Sequence, residues 1–154
     1  MSMSNVFVLA YNWALHRPTD QSTDYDPNRF PSNSAVDGLT DSGKYTHTNS
    51  GIDNGGYTWW LVYLEKPILI GKVIVYNRAD GNALSRLSYM NIMVFDQNNR
   101  LQNRRECGTL PDMRHRANIV VTCSPPLYGQ GVEVGRAGNH IISVAEVEVY
   151  EFDG

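Results

Sequence analysis

Two arginines near the middle of the chain have the residue types and spacing of a polar-ligand site. Arg78 comes just after the apolar run Val73–Tyr76, with only Asn77 between them, so it is predicted to lie where a strand ends and the chain turns. Asp80, two residues further on, can hold the Arg78 guanidinium by charge-assisted hydrogen bonds. The short turn after Asp80 can bring Arg86 back beside Arg78. Two adjacent guanidinium groups need polar groups between them, and sugar hydroxyls suit arginine, which has five donors and no acceptor.

His47 lies in a polar segment that precedes the predicted strands. A neutral imidazole both donates and accepts hydrogen bonds, so His47 can bind hydroxyl groups. For each of these residues taken singly, a solvated side chain on the surface is the more frequent outcome. Residue chemistry alone therefore leaves open both a polar-ligand site and an ordinary charged surface.

Oxygen ligands for a hard cation are also present. The segment Ser34–Thr40 offers backbone carbonyls and the carboxylate of Asp37, and Glu146 supplies a second carboxylate from far along the chain. Ca²⁺ takes roughly six to eight oxygen ligands in flexible geometry, which such a loop can provide. The spacing is not that of an EF-hand, and the alternative is an Asx-type turn at Asp37 with Glu146 solvated on a strand.

No sequence motif of a catalytic site occurs in the chain. There is no G-x-S-x-G, no H-E-x-x-H and no Gly-rich phosphate loop, and no carboxylate has a distinctive setting. We therefore predict that the protein is not an enzyme. Its net charge of −3 provides no global basic field, so we expect no nucleic-acid partner.

The elements that must position these side chains are predicted to be strands and turns. The chain has 154 residues, 42% hydrophobic and 19% charged, which suits one domain with a buried core. Clusters of Gly, Asn, Asp and Pro separate short runs that alternate or are rich in β-branched residues. These runs are Lys72–Tyr76, Tyr89–Phe95, Asn118–Cys123 and Ile141–Phe152. The pattern predicts an all-β sandwich or jelly roll that forms a single domain over residues 5–152.

The segment from His16 to Tyr57 is polar and has no clear periodicity. A connection of about 40 residues is too long to be inert in a compact domain, so we expect it to carry binding residues or an ion. No apolar run approaches the roughly 18 residues of a membrane span. The segment Met1–Ala14 lacks the basic start and the apolar core of a signal peptide.

The two cysteines, Cys107 and Cys123, end two predicted strand regions and have 15 residues between them. A disulfide across this loop would stabilise the fold by about 3 kcal/mol in the chain-entropy model. The alternative is a pair of buried free thiols. We favour the disulfide, because a single pair that flanks a polar loop is a natural cross-link.

Taken together, several segments resemble the F-type lectins, a fucose-binding family within the discoidin-like jelly rolls. The resemblance runs nearly end to end, and its most specific part is a His, an Arg-x-Asp and a second basic residue, here His47, Arg78 to Asp80, and Arg86. The supporting segments are Asn12–Thr19, Ser34–Gly38, Trp59–Leu64, Ile74–Asp80 and Val144–Tyr150. The resemblance implies a jelly roll of eight or so main antiparallel strands with long loops at one end.

The resemblance also implies a role for each candidate residue. His47, Arg78 and Arg86 would bind L-fucose, Asp80 would orient the arginines, and Leu84 (or Ala83) with Tyr45 would meet the methyl group. A structural Ca²⁺ would be held by carbonyls and two carboxylate side chains, from Ser34, Asp37, Leu39, Lys44, Ala145 and Glu146. Cys107 and Cys123 resemble the family's structural disulfide. The implied partners are fucosylated glycans, the implied compartment is extracellular, membrane contact would be through glycans alone, and a homo-oligomer is one expectation.

The chain departs from the family pattern in three places. Five residues rather than four separate Asp80 from Arg86, so the turn must bulge. The stretch between His47 and Arg78 is 30 residues long, and we expect the insertion at Asn49–Tyr57. The adjacent cysteines that many members carry in the motif turn are replaced by Asn82–Leu84.

Two other functions remain open at this stage. A discoidin-like adhesion module would bind a protein or membrane surface through exposed aromatic anchors, for which Trp13, Tyr25, Phe30 and Tyr57 are the candidates. A carbohydrate-binding module of a larger enzyme would have the same fold.

Overall fold

The computed structural model describes residues 10–40, 43–49, 56–96 and 103–154. Six strands account for most of the regular structure, and two short 3₁₀ helices, Ser32–Val36 and Gly81–Leu87, lie in the loops. The strands are β1 Thr19–Gln21, β2 Tyr57–Asn77, β3 Asn91–Phe95, β4 Arg105–Thr109, β5 Asn118–Ala137 and β6 Val144–Glu151. Every pairing between them is antiparallel. The prediction of an all-β antiparallel sandwich is confirmed.

Two strands of unusual length, β2 and β5, pair with each other and form the frame of the sandwich. Their ladder shifts register between Tyr63 and Ile68, so each strand contributes its two halves to different parts of the sheet. The first half of β2 pairs with β1 and with the end of β5, which β3 and β4 extend. The second half of β2 lies between β6 and the start of β5. Because each long strand serves both layers, six strands are enough to form the sandwich in the described part of the chain. The resemblance implied eight or so.

A single hydrophobic core lies between the layers. It combines Trp60 and Val62 from the first half of β2 with Val73 and Val75 from the second half. Alternate residues Lys72, Ile74 and Tyr76 are more exposed, as the two-residue period of a strand requires. The other large side chains of the core include Leu87, Met90, Ile92, Leu110, Met113 and Ile142.

The polar segment that holds His47 is fastened to the chain just before and at the start of β6. Thr46 and Thr48 donate backbone N–H groups to the carbonyls of Val144 and Ile142, and their hydroxyls accept the N–H groups of the same two residues. This reciprocal ladder buries both threonines completely. His47, between them, is therefore held firmly although its segment is not a strand.

The cysteine pair forms the predicted disulfide. Cys107 of β4 and Cys123 of β5 are joined with an S–S distance of 2.05 Å, and this cross-link ties the two layers together. The predicted insertion at Asn49–Tyr57 falls largely on residues outside the described part, and the single-domain prediction for 5–152 also includes such residues. No helix among the described residues is long and apolar enough to cross a membrane.

Candidate functional site

Arg78 lies just beyond the end of β2 and is nearly buried, with 8% of its side chain exposed. Its Nε and Nη2 groups donate to the two oxygens of Asp80 at 2.6 and 2.8 Å. A further N–H of Nη2 donates to the Tyr45 hydroxyl at 2.7 Å, and Nη1 donates to Ser143 Oγ at 3.2 Å. These contacts use four of the five arginine donors and leave one N–H of Nη1 for a ligand. The pair is mutually reinforcing, because the hydrogen bonds raise the pKa of Arg78 and lower that of Asp80.

His47 and Arg86 are in direct contact. Arg86 Nη1 lies 3.0 Å from His47 Nε2, and His47 Nδ1 lies 2.8 Å from the carbonyl of Thr48. Arginine can only donate and a carbonyl can only accept, so Nδ1 carries the proton and Nε2 accepts. Burial first, and then the nearby Arg86 and Arg78, lower the pKa of His47. The imidazole is consequently neutral at pH 7, and its lone pair helps to hold Arg86 in place.

The second 3₁₀ helix explains how Arg86 reaches the site despite the extra residue before it. Gly81 begins the helix with a positive φ of 50°, a backbone conformation that glycine adopts without strain. The buried side-chain amide of Asn77 donates to the carbonyl of Leu84 at 2.9 Å, and also to that of Met113 at 3.0 Å. These bonds tie the helix to the end of β2. The bulge expected before Arg86 is therefore a turn of helix that delivers the guanidinium to His47.

Three aromatic rings form a wall that packs directly against the polar side chains of the site. Tyr25 stacks on the His47 ring with centroids 4.3 Å apart, and Phe30 stacks on Tyr45 at 5.0 Å. The backbone N–H of Tyr25 donates to the His47 carbonyl at 3.1 Å, which fixes this loop against the buried segment. Arg29 lies over the Phe30 ring at 5.0 Å. The sequence did not lead us to place Tyr25, Phe30 and Arg29 in the sugar site, and the first two were named only as anchors for an adhesion module. Two aromatic residues in an otherwise polar loop could have indicated a binding surface there.

These groups enclose one open cleft of about 380 Å³. Its residues include the predicted trio with Asp80 and Tyr45, and also Tyr25, Arg29, Phe30, Gly81 and Ala83. Both N–H donors and aromatic rings line it, so the cleft suits a small molecule with vicinal oxygens and one apolar edge. Leu84, which was expected to meet a methyl group, is not among the described residues that line the cleft. Ala83, the other residue expected to meet a methyl group, does line it.

The predicted calcium residues lie in a separate region behind this cleft. Glu146 is fully buried on β6, and its Oε2 accepts the backbone N–H of Gly38 at 2.6 Å. Asp37 ends the first 3₁₀ helix, and its carboxylate accepts the N–H of Leu39 at 2.9 Å. Ser34, Asp37 and Lys44 line one further cleft of about 770 Å³. Ala145 is the buried neighbour of Glu146 on β6.

One oxygen of the Glu146 side chain lacks a hydrogen-bond partner among the described residues. This oxygen, Oε1, is buried and accepts no hydrogen bond from any described residue. Burial first, and then the nearby Asp37 charge, raise the pKa of Glu146 to about 8. Among the described residues, no three His, Cys, Asp or Glu side chains are placed to hold a metal ion together. A cation here would therefore also need backbone carbonyls. An orphaned carboxylate beside a carbonyl-rich loop fits Ca²⁺, which accepts mixed oxygen ligands.

No protein-family model matches the chain, and no curated protein matches it. Solved structures do match it over nearly its whole length. A fucose-binding module from Streptococcus pneumoniae is 33% identical, with a TM-score of 0.72, and the match covers 93% of this chain and 99% of the module. The lectin domain of lectinolysin, solved with Lewis b antigen, is 29% identical, with a TM-score of 0.75 and coverage of 95% and 100%.

An F-lectin (fucolectin) from striped bass serum, Morone saxatilis, has the same fold with a TM-score of 0.80 at 24% identity. The match covers 94% of this chain and 50% of the fish protein. These likenesses agree with the motif segments that run from Asn12 to Tyr150. By sequence and by fold, this chain belongs to the F-type lectin family.

Proposed function

We propose that this protein is a non-catalytic lectin that binds L-fucose on fucosylated glycans. The observation that carries the proposal is the meeting of His47, Arg78 and Arg86 in one cleft against an aromatic wall. Support also comes from two similar structures, a fucose-binding module and a lectin domain solved with Lewis b antigen.

The proposed contacts follow from the donors that the protein leaves available. One N–H of Arg78 and the N–H groups of Arg86 not used by His47 face the cleft, and sugar ring and hydroxyl oxygens accept from them. The methyl group of fucose lies against Ala83 or the rings of Phe30 and Tyr45. A hydroxyl replaces or shares the Arg86 contact with His47 Nε2. None of these steps breaks a covalent bond, which is why we propose a binding module and not an enzyme.

A structural Ca²⁺ is part of the proposal. The side chains of Asp37 and Glu146 and the carbonyls of Ser34, Leu39, Lys44 and Ala145 are the proposed ligands. Bound there, the ion supplies positive charge that keeps Glu146 ionised and stiffens the loop before His47. It lies behind the sugar cleft and is not proposed to touch the sugar.

Single-site binding through a few hydrogen bonds and one apolar contact is weak, so useful affinity requires several sites engaged together. We propose that the module reaches this by oligomerisation or as one of several domains. The disulfide suits an oxidising, extracellular setting. Membrane contact would then be through glycans.

The direct test is calorimetric titration of the chain with L-fucose and, in parallel, with L-galactose. We expect saturable binding of fucose and at least tenfold weaker binding of L-galactose, which has the same ring configuration but a hydroxymethyl group in place of the apolar methyl. Equal affinities would contradict fucose recognition, and absence of any binding would contradict the lectin proposal.

The adhesion-module alternative receives less support from the structure. Of its four aromatic candidates, Tyr25 is 57% exposed, whereas Phe30 stacks within the cleft and Trp13 packs against the core. Tyr57 is half-buried and lies under the Arg104 guanidinium at 4.6 Å. The four rings therefore do not form one exposed patch. Liposome or protein capture without any glycan signal on an array would favour that alternative.

A further inference from the structure

A second cleft lies on the other side of the second 3₁₀ helix. It measures about 420 Å³ and is lined by Ser85, Ser88, Tyr89, Asp112, Arg114 and Arg136. Arg86, in the same helix, lines the sugar cleft, whereas its neighbour Ser85 lines this one. One short helix thus contributes neighbouring residues to both clefts.

Tyr89 is held in this cleft in an unfavourable backbone conformation. Its φ is +64°, in the left-handed region that bulky residues rarely adopt. A tight connection enforces this, because Tyr89 donates its N–H to Pro111 at 3.3 Å and Leu110 donates to Met90 at 2.7 Å. The result is an aromatic ring that is 52% exposed at the mouth of the cleft. Strain of this kind concentrates at ligand sites.

Polar groups surround the Tyr89 ring in a fixed arrangement. Arg114 donates through Nε and Nη2 to Asp112 Oδ2 at 2.9 and 2.6 Å, and Asp112 also receives the hydroxyl of Ser88 at 3.3 Å. The buried Ser88 Oγ accepts the Met113 N–H at 2.8 Å. Arg114 is 64% exposed, and its contacts with Asp112 through Nε and Nη2 leave its Nη1 donors available to a ligand.

Arg136, near the end of β5, lies 5.7 Å from the centre of the Tyr89 ring. Among the described residues it pairs with no carboxylate, so its donors are also available to a ligand. A pyranose ring has an apolar C–H face and a rim of hydroxyls. An exposed aromatic face beside two guanidinium groups matches both features.

We propose that the cleft around Tyr89 is a second carbohydrate subsite, which holds a pyranose ring of the same glycan beyond its fucose. This inference rests on the proposed function and extends it from a monosaccharide to an oligosaccharide. Tyr89 provides the stacking surface, and Arg114 and Arg136 donate to the hydroxyls. The second 3₁₀ helix forms the shared wall of the two clefts.

The test compares L-fucose with fucosylated oligosaccharides of two to six sugars on the ¹⁵N-labelled chain. L-fucose should shift the amide signals of Tyr25, His47 and Arg78 and leave those of Arg114 and Arg136 unchanged. The longer glycans should shift both groups. No response of Arg114 and Arg136 to any of the glycans would overturn the subsite, whereas absence of fucose binding would overturn the proposed function itself.

The variant Tyr89→Gly separates a ligand contact from a structural role. Glycine adopts the positive φ without strain, so the thermal midpoint should rise while the aromatic surface is lost. We expect affinity for the longest glycans to fall about threefold to tenfold, with fucose affinity unchanged. The control is Tyr128→Ala, which removes a similarly exposed ring on β5, opposite Leu69 of β2. This variant should change neither affinity. Full retention of glycan affinity by Tyr89→Gly would contradict the role of the ring.

Discussion

The two arginines of the sugar cleft are held in different ways, and this decides what each can do. Arg78 is buried and has four of its donors bound, so its position is fixed and it offers one directed N–H. Arg86 is half-buried, and among the described residues its hydrogen-bond partner is His47 Nε2. Its other N–H groups are therefore available to a ligand. In the proposed complex, the rigid Arg78 would orient the ligand and the freer Arg86 would adapt to it.

Replacement of Arg78 by lysine keeps the charge and removes the bidentate geometry. Lysine cannot contact both Asp80 oxygens and Tyr45 while it also donates to a ligand, so fucose affinity should fall about tenfold to a hundredfold. Titration calorimetry measures this. The matched control is Arg105→Lys, which alters an exposed pair with Asp96 and should leave the affinity unchanged. Wild-type affinity in Arg78→Lys would show that the sugar does not depend on this guanidinium.

The pKa of His47 is lowered by burial and by the two arginines, and this makes a pH prediction possible. In the unfolded chain the imidazole gains its proton near its ordinary value of about 6.5. Between that value and the lower native midpoint the unfolded state binds more protons, so acidification in this window destabilises the fold. Fucose affinity should fall at lower pH, through the native midpoint of His47, because a protonated Nε2 cannot accept from Arg86.

The measurement is an NMR titration of the four histidines alongside fucose binding at each pH. The midpoint of His47 should lie below its ordinary value of about 6.5, and the loss of affinity should follow that midpoint. A midpoint at or above 6.5 would rule out the proposed tautomer and its contact with Arg86.

At the scale of elements, the second 3₁₀ helix matters because it carries Ala83 and Arg86 into the sugar cleft. Asn77 fastens this helix, since its amide bridges the carbonyls of Leu84, Met113 and Arg116. A single buried side chain at the end of β2 therefore sets the position of a ligand-binding residue nine positions later.

The substitution Asn77→Ala should cost about 1–3 kcal/mol of stability, because it removes a buried amide that donates to three carbonyls. Fucose affinity should fall as well, although Asn77 itself does not line the cleft, because Arg86 is no longer held in place. Chemical denaturation and calorimetry give the two quantities. Asn118→Ala, on the exposed surface of β5, is the control and should change stability by less than about 0.5 kcal/mol. A destabilised variant with normal affinity would show that the helix keeps its place by other contacts.

The disulfide acts between elements in a different way, because it joins β4 to β5 away from the sugar cleft. Replacement of both Cys107 and Cys123 by serine should lower the free energy of unfolding by about 3 kcal/mol, the chain-entropy value for a loop of this size. Fucose affinity measured well below the unfolding midpoint should stay the same. A large loss of affinity in the folded double variant would mean that the cross-link also shapes the cleft.

At the scale of the whole molecule, the region around Glu146 connects β6 with the first 3₁₀ helix and the loop that precedes His47. The buried carboxylate with its unpartnered oxygen is an energetic cost in the absence of a cation. Ca²⁺ would remove this cost and bind the native state alone, so it would stabilise the whole domain.

Excess Ca²⁺ over a chelator control should raise the thermal midpoint by about 5–10 °C, the shift expected at a hundredfold excess over the dissociation constant for a domain of this size. Glu146→Gln removes the carboxylate that would bind the cation and should abolish this response. Glu151→Gln, an exposed position at the end of the same strand, should retain it. An unchanged midpoint in the parent protein would contradict the calcium proposal while leaving the sugar cleft intact.

The sequence by itself determined the fold class, because the two-residue alternation and turn clusters of β2, β5 and β6 depend on local chemistry. It also indicated Arg78 and Asp80 as a pair, since two residues of separation at a strand end allow their side chains to meet, and the structure shows that contact. The disulfide was favoured on similar local grounds.

Tertiary structure alone decided that His47 meets Arg86, because that contact depends on the ladder before β6 and on the helix fastened by Asn77. It also decided that Ala83 and not Leu84 is among the described residues that line the cleft, and it added Tyr25 and Phe30 to the lining. Contacts between residues distant in the chain arise from how layers and loops pack, and no local pattern in the sequence encodes that geometry.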